Sequence, residues 1–492
     1  MLFNSIPFLV WFLPAAVALF YLAGRLGGGE AARWTLIGLS FFFYAWTLPW
    51  HLLLLVASLL INFNAGRWIE AAEGKRRWWL TAGFIALNLG LIAWFKYLDF
   101  LVGTLSAILG LDAHLLHIAL PLAISFFTFQ QIAYLVNAYR GQSLKPTLSE
   151  YMSFVAFFPH LIAGPLVQHS DIIPQFRDPR TYRFDPDRFT TGVTIFLLGL
   201  AKKVVLADQF GVCADTAFNG VAGGIDPTLW EAWGGILSYT LQLYFDFSGY
   251  SDMAIGLGLM FGIVMPVNFN SPYKAGSIID FWNRWHMTLS RFLRDFLYIP
   301  LGGNRKGPAR RYLNLMITML LGGLWHGAAW TFVLWGGLHG AYLVVNHAFR
   351  TVAGELKGRA VALGGWALTF VAVALAWVPF RAHDLKSMGA ILSGAFGGHG
   401  AALPGELVDK LHFLKLFGAP VGKLPLAADG TNLGFLSMWL LLVFGLALVW
   451  FAPNIQQMSE KARRWMIVAS FALVVQKVFF SGAISSFLYF RF

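Results

Sequence analysis

Apolar stretches follow one another along almost the whole chain, separated by short polar breaks. Residues 6–23, 34–48, 51–61, 78–95, 100–109 and 115–136 form a first series, with Pro49-Trp50 splitting 34–48 from 51–61 as a hairpin. Runs at 190–200, 230–244, 254–264, 313–325, 330–347, 361–380, 433–451 and 466–480 form a second. A spanning helix needs ~20 apolar residues and a re-entrant one fewer, so the pattern predicts about a dozen membrane segments. The short alternating strands of a membrane β-barrel are absent. The chain therefore reads as an all-α, polytopic integral membrane protein. It shows no repeat of about 20–50 residues, so residues 1–492 read as a single domain.

The polar interruptions refine this picture. Residues 151–167 contain Phe158-Pro159-His160-Leu161-Ile162-Ala163-Gly164-Pro165. Two prolines and a glycine do not suit a continuous helix. A broken or re-entrant segment is expected, tolerated where protein or a water-filled cavity satisfies the backbone. Residues 141–150 form a polar connector, 168–189 a longer one, and 381–429 a polar excursion. Arg67, Lys75, Arg76 and Arg77 mark a cytoplasmic loop. The first apolar run is followed by Arg25 rather than preceded by charge, so a retained helix with its N-terminus outside is expected, not a cleaved signal peptide.

Composition agrees with the pattern. Only 12% of the 492 residues are charged and 58% are hydrophobic, against ~25% charged in soluble domains. The 20 Trp and 46 Phe suit aromatic belts at the two interfaces. The net charge of +12 is read as cytoplasmic loops facing anionic headgroups, with no nucleic-acid partner. The single cysteine, Cys213, excludes an intramolecular disulfide and a multi-Cys metal site.

Chemistry concentrates between residues 281 and 330. Trp285-His286 and Trp325-His326 are Trp-His pairs, and between them lies the basic turn Gly302-Gly303-Asn304-Arg305-Lys306-Gly307-Pro308. His326 ends an apolar run. An ionisable side chain there is costly in lipid and is a functional candidate. Neutral imidazole can take a proton from a hydroxyl near neutral pH; the alternative is a packed helix-end histidine. His286 reads as an orienting partner or an interfacial histidine, and an Arg291–Asp295 i,i+4 salt bridge is expected beside it. Arg305 and Lys306 could attract a donor's phosphates, although positive-inside topology explains the same residues and is the simpler reading. Asp246 and Asp252, in Tyr244-Phe245-Asp246-Phe247-Ser248-Gly249-Tyr250-Ser251-Asp252-Met253, are expected to shape the site or to pair with the arginines at 284–294. His160, Trp285, Trp325 and His339 are candidate cavity-lining residues. No metal-ligand spacing and no Gly-x-Ser-x-Gly elbow occurs.

These motifs, with Phe281-Trp282-Asn283-Arg284-Trp285-His286, Leu301-Gly302-Gly303-Asn304-Arg305 and Gly322-Gly323-Leu324-Trp325-His326-Gly327, occur in an order that resembles the membrane-bound O-acyltransferase superfamily, in its bacterial alginate O-acetylation branch. The similarity runs along the chain, with its motif core at about residues 120–350, and shows no departure at the named motifs. The resemblance implies a ring of tilted helices around a central tunnel, with His326 as the catalytic histidine and His286 as its second motif histidine. It implies a bacterial inner-membrane enzyme that carries acetyl from a cytoplasmic donor, acetyl-CoA, toward an exported polysaccharide, with no bound cofactor. A separate periplasmic or extracellular acetyltransferase is the expected partner. Relatives in the branch acylate peptidoglycan or D-alanylate teichoic acids. A non-catalytic acyl or polymer transporter is the alternative from another class.

Overall fold

A computed structural model describes residues 1–46, 48–354, 356–410, 420–421, 432–480 and 485–488. Residues 489–492, and 411–419 and 422–429 of the 381–429 excursion, lie outside the described residues. The backbone is helical nearly throughout, and no strand occurs among the described residues.

Helix α1 (Leu13–Ala45) follows a π-helical turn, Pro7–Phe12, and reverses direction at Gly28 (φ 71°, ψ −170°). Only glycine adopts that backbone without steric cost. Ring contacts show the reversal: Phe12 meets Phe43 at 5.7 Å, whereas an unbroken helix would hold them about 46 Å apart. Helices α2 (Trp50–Ala71), α3 (Gly74–Ile92) and α4 (Leu98–Leu109) follow. A π-helical stretch, Ala93–Tyr97, joins α3 to α4, so Lys96 lies inside one apolar helical run rather than in the break expected between 95 and 100.

The helix expected at 115–136 begins later, as α5 (Ile124–Tyr139). The preceding segment is held open by Asp99, whose carboxylate accepts the N–H groups of Leu116 and His117 at 2.9 Å each. Positive φ at His117 and Ala123 and the missing donor of Pro121 also exclude helix there. Helix α6 (Leu148–Ala156) opens on a Thr147/Glu150 capping box. Phe157 (φ −52°, ψ 106°) then separates it from the single turn α7 (Phe158–Leu161), the break expected around Pro159.

Helix α8 (His169–Arg177) lies in the following connector. Helices α9 (Pro186–Ala201) and α10 (Asp208–Ala222) are joined by a π-helical stretch, Lys202–Ala207. Helix α11 (Leu229–Met260) is unbroken, where two helices at 230–244 and 254–264 were expected. The acids between those runs do not interrupt it because lysines neutralise them. Asp246 pairs with Lys203 at 2.6 Å and Asp252 with Lys202 at 2.7 Å. They therefore do not pair with the arginines at 284–294.

Glycines set two helix crossings. A Cβ on Gly192 would lie 2.6 Å from the Gly256 carbonyl oxygen, and one on Gly199 2.6 Å from that of Gly249, so α9 and α11 touch backbone to backbone. After the short helices α12 (Ile278–Trp282) and α13 (Met287–Leu293), the same device joins α14 (Gly307–His326) to α15 (Trp330–Ala353). There a Cβ on Gly323 or Gly336 would overlap the carbonyl oxygen of Phe332 or Met319. Helix α16 (Arg359–Arg381), helices Leu385–Ala395 and Gly405–Lys410 within the expected polar excursion, and helices Asn432–Phe451 and Glu460–Val475 complete the described helices after α15.

Six stretches among the described residues are long and apolar enough to cross a membrane: Pro7–Ala45, Trp50–Ala71, Gly74–Leu109, Pro186–Ala222, Arg359–Arg381 and Gly434–Phe451. Polar contacts gather the Gly28 reversal, the 141–147 connector and α8 at one end of the helices. Arg33 reaches Ser149 at 3.1 Å, Arg77 donates to the Ala138 carbonyl at 2.6 Å, and Arg291 pairs with Asp171. This end is rich in arginine. The interior divides into two apolar clusters, one holding Phe43, Phe158 and Trp325, the other Trp285, Trp335 and Trp377.

Candidate active site

His326 is the last residue of α14, and the close α14–α15 crossing brings α15 across its ring. The imidazole lies 5.0 Å from the Trp335 ring, 5.0 Å from Phe380 and 4.9 Å from Trp325. It thus sits where the two apolar clusters meet. It is 6% exposed and lines a cavity of about 120 Å³ with Lys96, Ser125, Phe126, Ile162 and Trp325. The cavity gives the ring room for a reacting group, and its lining is largely apolar, with Phe126 and Trp325 as its aromatic members.

The end of α14 is held from α3–α4. Lys96 Nζ donates to the carbonyls of Trp325 (2.5 Å) and His326 (3.2 Å), and the Tyr97 hydroxyl donates to that of Leu324 (2.7 Å). Carbonyls in the last helical turn have no partner within the helix, and a cation complements the negative end of its dipole. Lys96 therefore fixes the residue beside it and places a charge in the same cavity. In the sequence Lys96 falls in the gap between the apolar runs 78–95 and 100–109, where nothing marks it as part of a site.

His286 has a left-handed backbone (φ 42°, ψ 53°), rare for a residue with a Cβ, and its side chain is 1% exposed. Its ring is oriented by Asn268. The Leu166 N–H donates to Thr288 Oγ1 at 2.9 Å, which leaves the Thr288 hydroxyl to donate to Asn268 Oδ1 at 2.8 Å. Asn268 Nδ2 donates to Ser251 Oγ at 3.1 Å. The amide oxygen thus faces His286, whose Nδ1–H donates to it at 3.0 Å. Nε2 carries the lone pair and has no hydrogen-bond partner among the described residues. Trp325 stands between the two histidines, 6.3 Å from His286 and 4.9 Å from His326. Nothing in the sequence linked Asn268 to this pair.

The other candidates spread out. His339 is fully buried, and Trp335 stands between it and His326, its ring 4.9 Å from His339 and 5.0 Å from His326. His160 is buried beside Gln130 (3.3 Å) and Phe157, two residues before the cavity-lining Ile162. Trp285 packs in the second cluster, 4.9 Å from Trp377 and 5.6 Å from Phe281. Asp246 accepts from Lys203 and from the Leu488 N–H (3.0 Å), tying the C-terminal segment to α11. Arg305 and Lys306 are exposed at the start of α14, a helix of 20 residues, which places them about 30 Å from its other end. The expected Arg291–Asp295 pair does not form. Arg291 turns to Asp171 on α8, and Asp295 pairs with its neighbour Arg294 at 2.7 Å.

Residues 39–357 match MBOAT, the membrane-bound O-acyltransferase family. The chain is 42% identical over 431 residues to a peptidoglycan O-acetyltransferase of Helicobacter pylori, covering 82% of this chain and 81% of the relative. It is 43% identical over 394 residues to a probable alginate O-acetylase AlgI of Pseudomonas aeruginosa, covering 78% and 73%. A teichoic acid D-alanyltransferase of Streptococcus thermophilus is 33% identical over 246 residues, covering 46% of this chain and 57% of the relative. With its apolar helices and its histidine-lined cavity, the chain belongs to the membrane-bound O-acyltransferase family and is a multi-pass membrane O-acyltransferase.

Proposed function

We propose that the protein moves acetyl groups from a thioester donor, acetyl-CoA, to hydroxyls of an exported, alginate-like polysaccharide, with His326 as the general base. The observation that carries this reading is the placement of His326 on an interior cavity beside Lys96, at the junction of two aromatic clusters. In the reaction His326 takes the proton from the acceptor hydroxyl as its oxygen attacks the thioester carbonyl. The C–S bond then breaks, and the leaving thiolate takes the proton back from the imidazolium. His286, fixed by Asn268, orients the groups beside Trp325.

The arginine-rich end is taken as cytoplasmic, because basic residues concentrate on that side of a membrane. In this orientation the donor approaches from that end in the bacterial inner membrane, and Arg305 and Lys306 meet its phosphates at the surface. A separate periplasmic or extracellular acetyltransferase receives or completes the transfer. The relative from Helicobacter pylori is named for peptidoglycan, which supports a second reading with that polymer as acceptor.

Purified protein incubated with labelled acetyl-CoA and either alginate or peptidoglycan fragments tests both readings. Thioester turnover is expected, falling about 10²–10⁴-fold in His326→Ala. Full turnover in that variant, at normal protein level, would defeat the assignment. Label appearing only in peptidoglycan selects the second acceptor.

A further inference from the structure

The reversal at Gly28 creates a feature away from the histidines. A cavity of about 960 Å³ opens there, walled by Gly24, Gly28 and Gly29 on one side and by Tyr182 and Arg183 on the other. Four arginines line it. Arg33 and Arg177 are committed to Glu30 and Glu150. Arg25 and Arg183 are exposed and have no ion pair among the described residues. Gly24 and Gly29 let Tyr182 pack directly on the backbone, and only Gly28 faces open space, with nothing within 4 Å of where its Cβ would lie.

Tyr21 and Phe184 belong to this cavity and also to a second one of about 650 Å³ that continues from it. The second is a groove between the first arm of α1, α9 and Glu460–Val475. Leu13, Val17, Val193, Leu197 and Phe471 line it, and among the described residues no charged side chain does. The ring of Tyr21 meets that of Phe184 at 5.3 Å, edge to face, and the Tyr21 hydroxyl is held by the Met260 carbonyl at 2.9 Å, so the junction is fixed. Leu22, Leu26 and Phe184 stand exposed around the arginines, as side chains do where headgroups give way to acyl chains.

A cationic pocket above an apolar groove has the layout of an amphiphile with an anionic head. We propose that this composite site holds one anionic glycerophospholipid, its phosphate between Arg25 and Arg183 and an acyl chain along the groove between α1 and α9. Two unpaired guanidiniums at the basic end complement a phosphodiester and select against a zwitterion. The chain length reached inside the groove selects against a soluble phosphate. The site is separate from acyl transfer and does not depend on it.

Protein purified in detergent, delipidated and titrated with phosphatidylglycerol, is examined by native mass spectrometry and thermal unfolding. One retained phosphatidylglycerol per chain is expected, with phosphatidylcholine bound markedly less. The double variant Arg25→Gln/Arg183→Gln changes two exposed residues and folds normally; its retention should fall about 30-fold. Val193→Trp fills the groove and should also lose the lipid while the arginines remain. Equal retention by the double variant overturns the proposal. So does equal binding of phosphatidylcholine, or displacement of the lipid by inorganic phosphate at millimolar concentration.

Discussion

Asn268 holds His286 by a single hydrogen bond, Nδ1–H to Oδ1 at 3.0 Å, and Thr288 and Ser251 in turn fix which way the amide points. A proton is thereby committed to one nitrogen and a lone pair to the other, next to Trp325. Asn268→Ala removes the acceptor and leaves the imidazole N–H and the Thr288 hydroxyl unpaired in a buried place. A stability loss of about 1–3 kcal/mol is expected for such orphaned groups. Turnover should fall about tenfold, less than the roughly 10²–10⁴-fold that a positioned acid or base supplies, because His286 orients rather than transfers the proton. A variant with unchanged kcat and KM would show that the orientation of His286 is irrelevant to transfer.

Lys96 supplies the charge at the end of α14. Lys96→Met keeps the bulk of the stem but leaves the carbonyls of Trp325 and His326 without their donor. Hydrogen bonds from charged donors contribute about 1.5–3 kcal/mol. A lower melting temperature and a reduced kcat are expected, with Lys96→Arg recovering part of both. Normal activity in Lys96→Met, measured as thioester turnover, would confine the lysine to anchoring.

The glycine crossing of α9 and α11 predicts a packing defect with no chemistry in it. In Gly199→Val the new side chain meets the Gly249 carbonyl and the Met253 N–H, at 2.6 and 2.8 Å from its Cβ. Backbone cannot yield as a side chain can. Overpacking costs about 1–3 kcal/mol or more, so the melting temperature or the membrane yield should drop. Gly38→Ala is the control, because nothing lies within 4 Å of its new Cβ. If both variants behave alike, the close approach does not govern stability.

At the basic end, Glu150 caps α6 and pairs with Arg177 at 2.9 Å. Burial works to raise the Glu150 carboxyl, but the Arg177 hydrogen bond and the Thr147 N–H outweigh it, and the group sits below its ordinary value of 4.5. A carboxyl depressed in the folded state stabilises above its unfolded value and ceases to do so as pH falls through the folded one. Glu150→Gln should therefore melt lower than the parent at pH 7, with the gap closing below about pH 4. Parallel melting curves from pH 7 to pH 3 would contradict this.

Class and candidates were legible in the chain because both are local signals. Long apolar runs predict helices in a membrane whatever they pack against, and a histidine ending such a run stands out by its solvation cost. The break at Phe157 followed from Pro159, a one-residue effect. The errors fell where a distant partner cancels a local cost. Asp246 and Asp252 suggested pairing with the arginines at 284–294 and a break in the helix, but Lys203 and Lys202, on the π-helical stretch that crosses α11, pair with them instead and let α11 run unbroken. Lys96 falls between two apolar runs in the sequence, and only the end of α14, a distant segment, offers it two carbonyls.

The sequence by itself determined that this protein is a bundle of membrane helices with two Trp-His pairs, since hydropathy and residue identity need no third dimension. Only the tertiary structure decided that Trp325 lies between the histidines, that Asn268 sets the proton on one of them, and that the chain doubles back at Gly28 under a cluster of arginines. Those facts depend on contacts between residues far apart in the chain, and such contacts exist only once glycine-lined crossings have fixed how closely the helices approach.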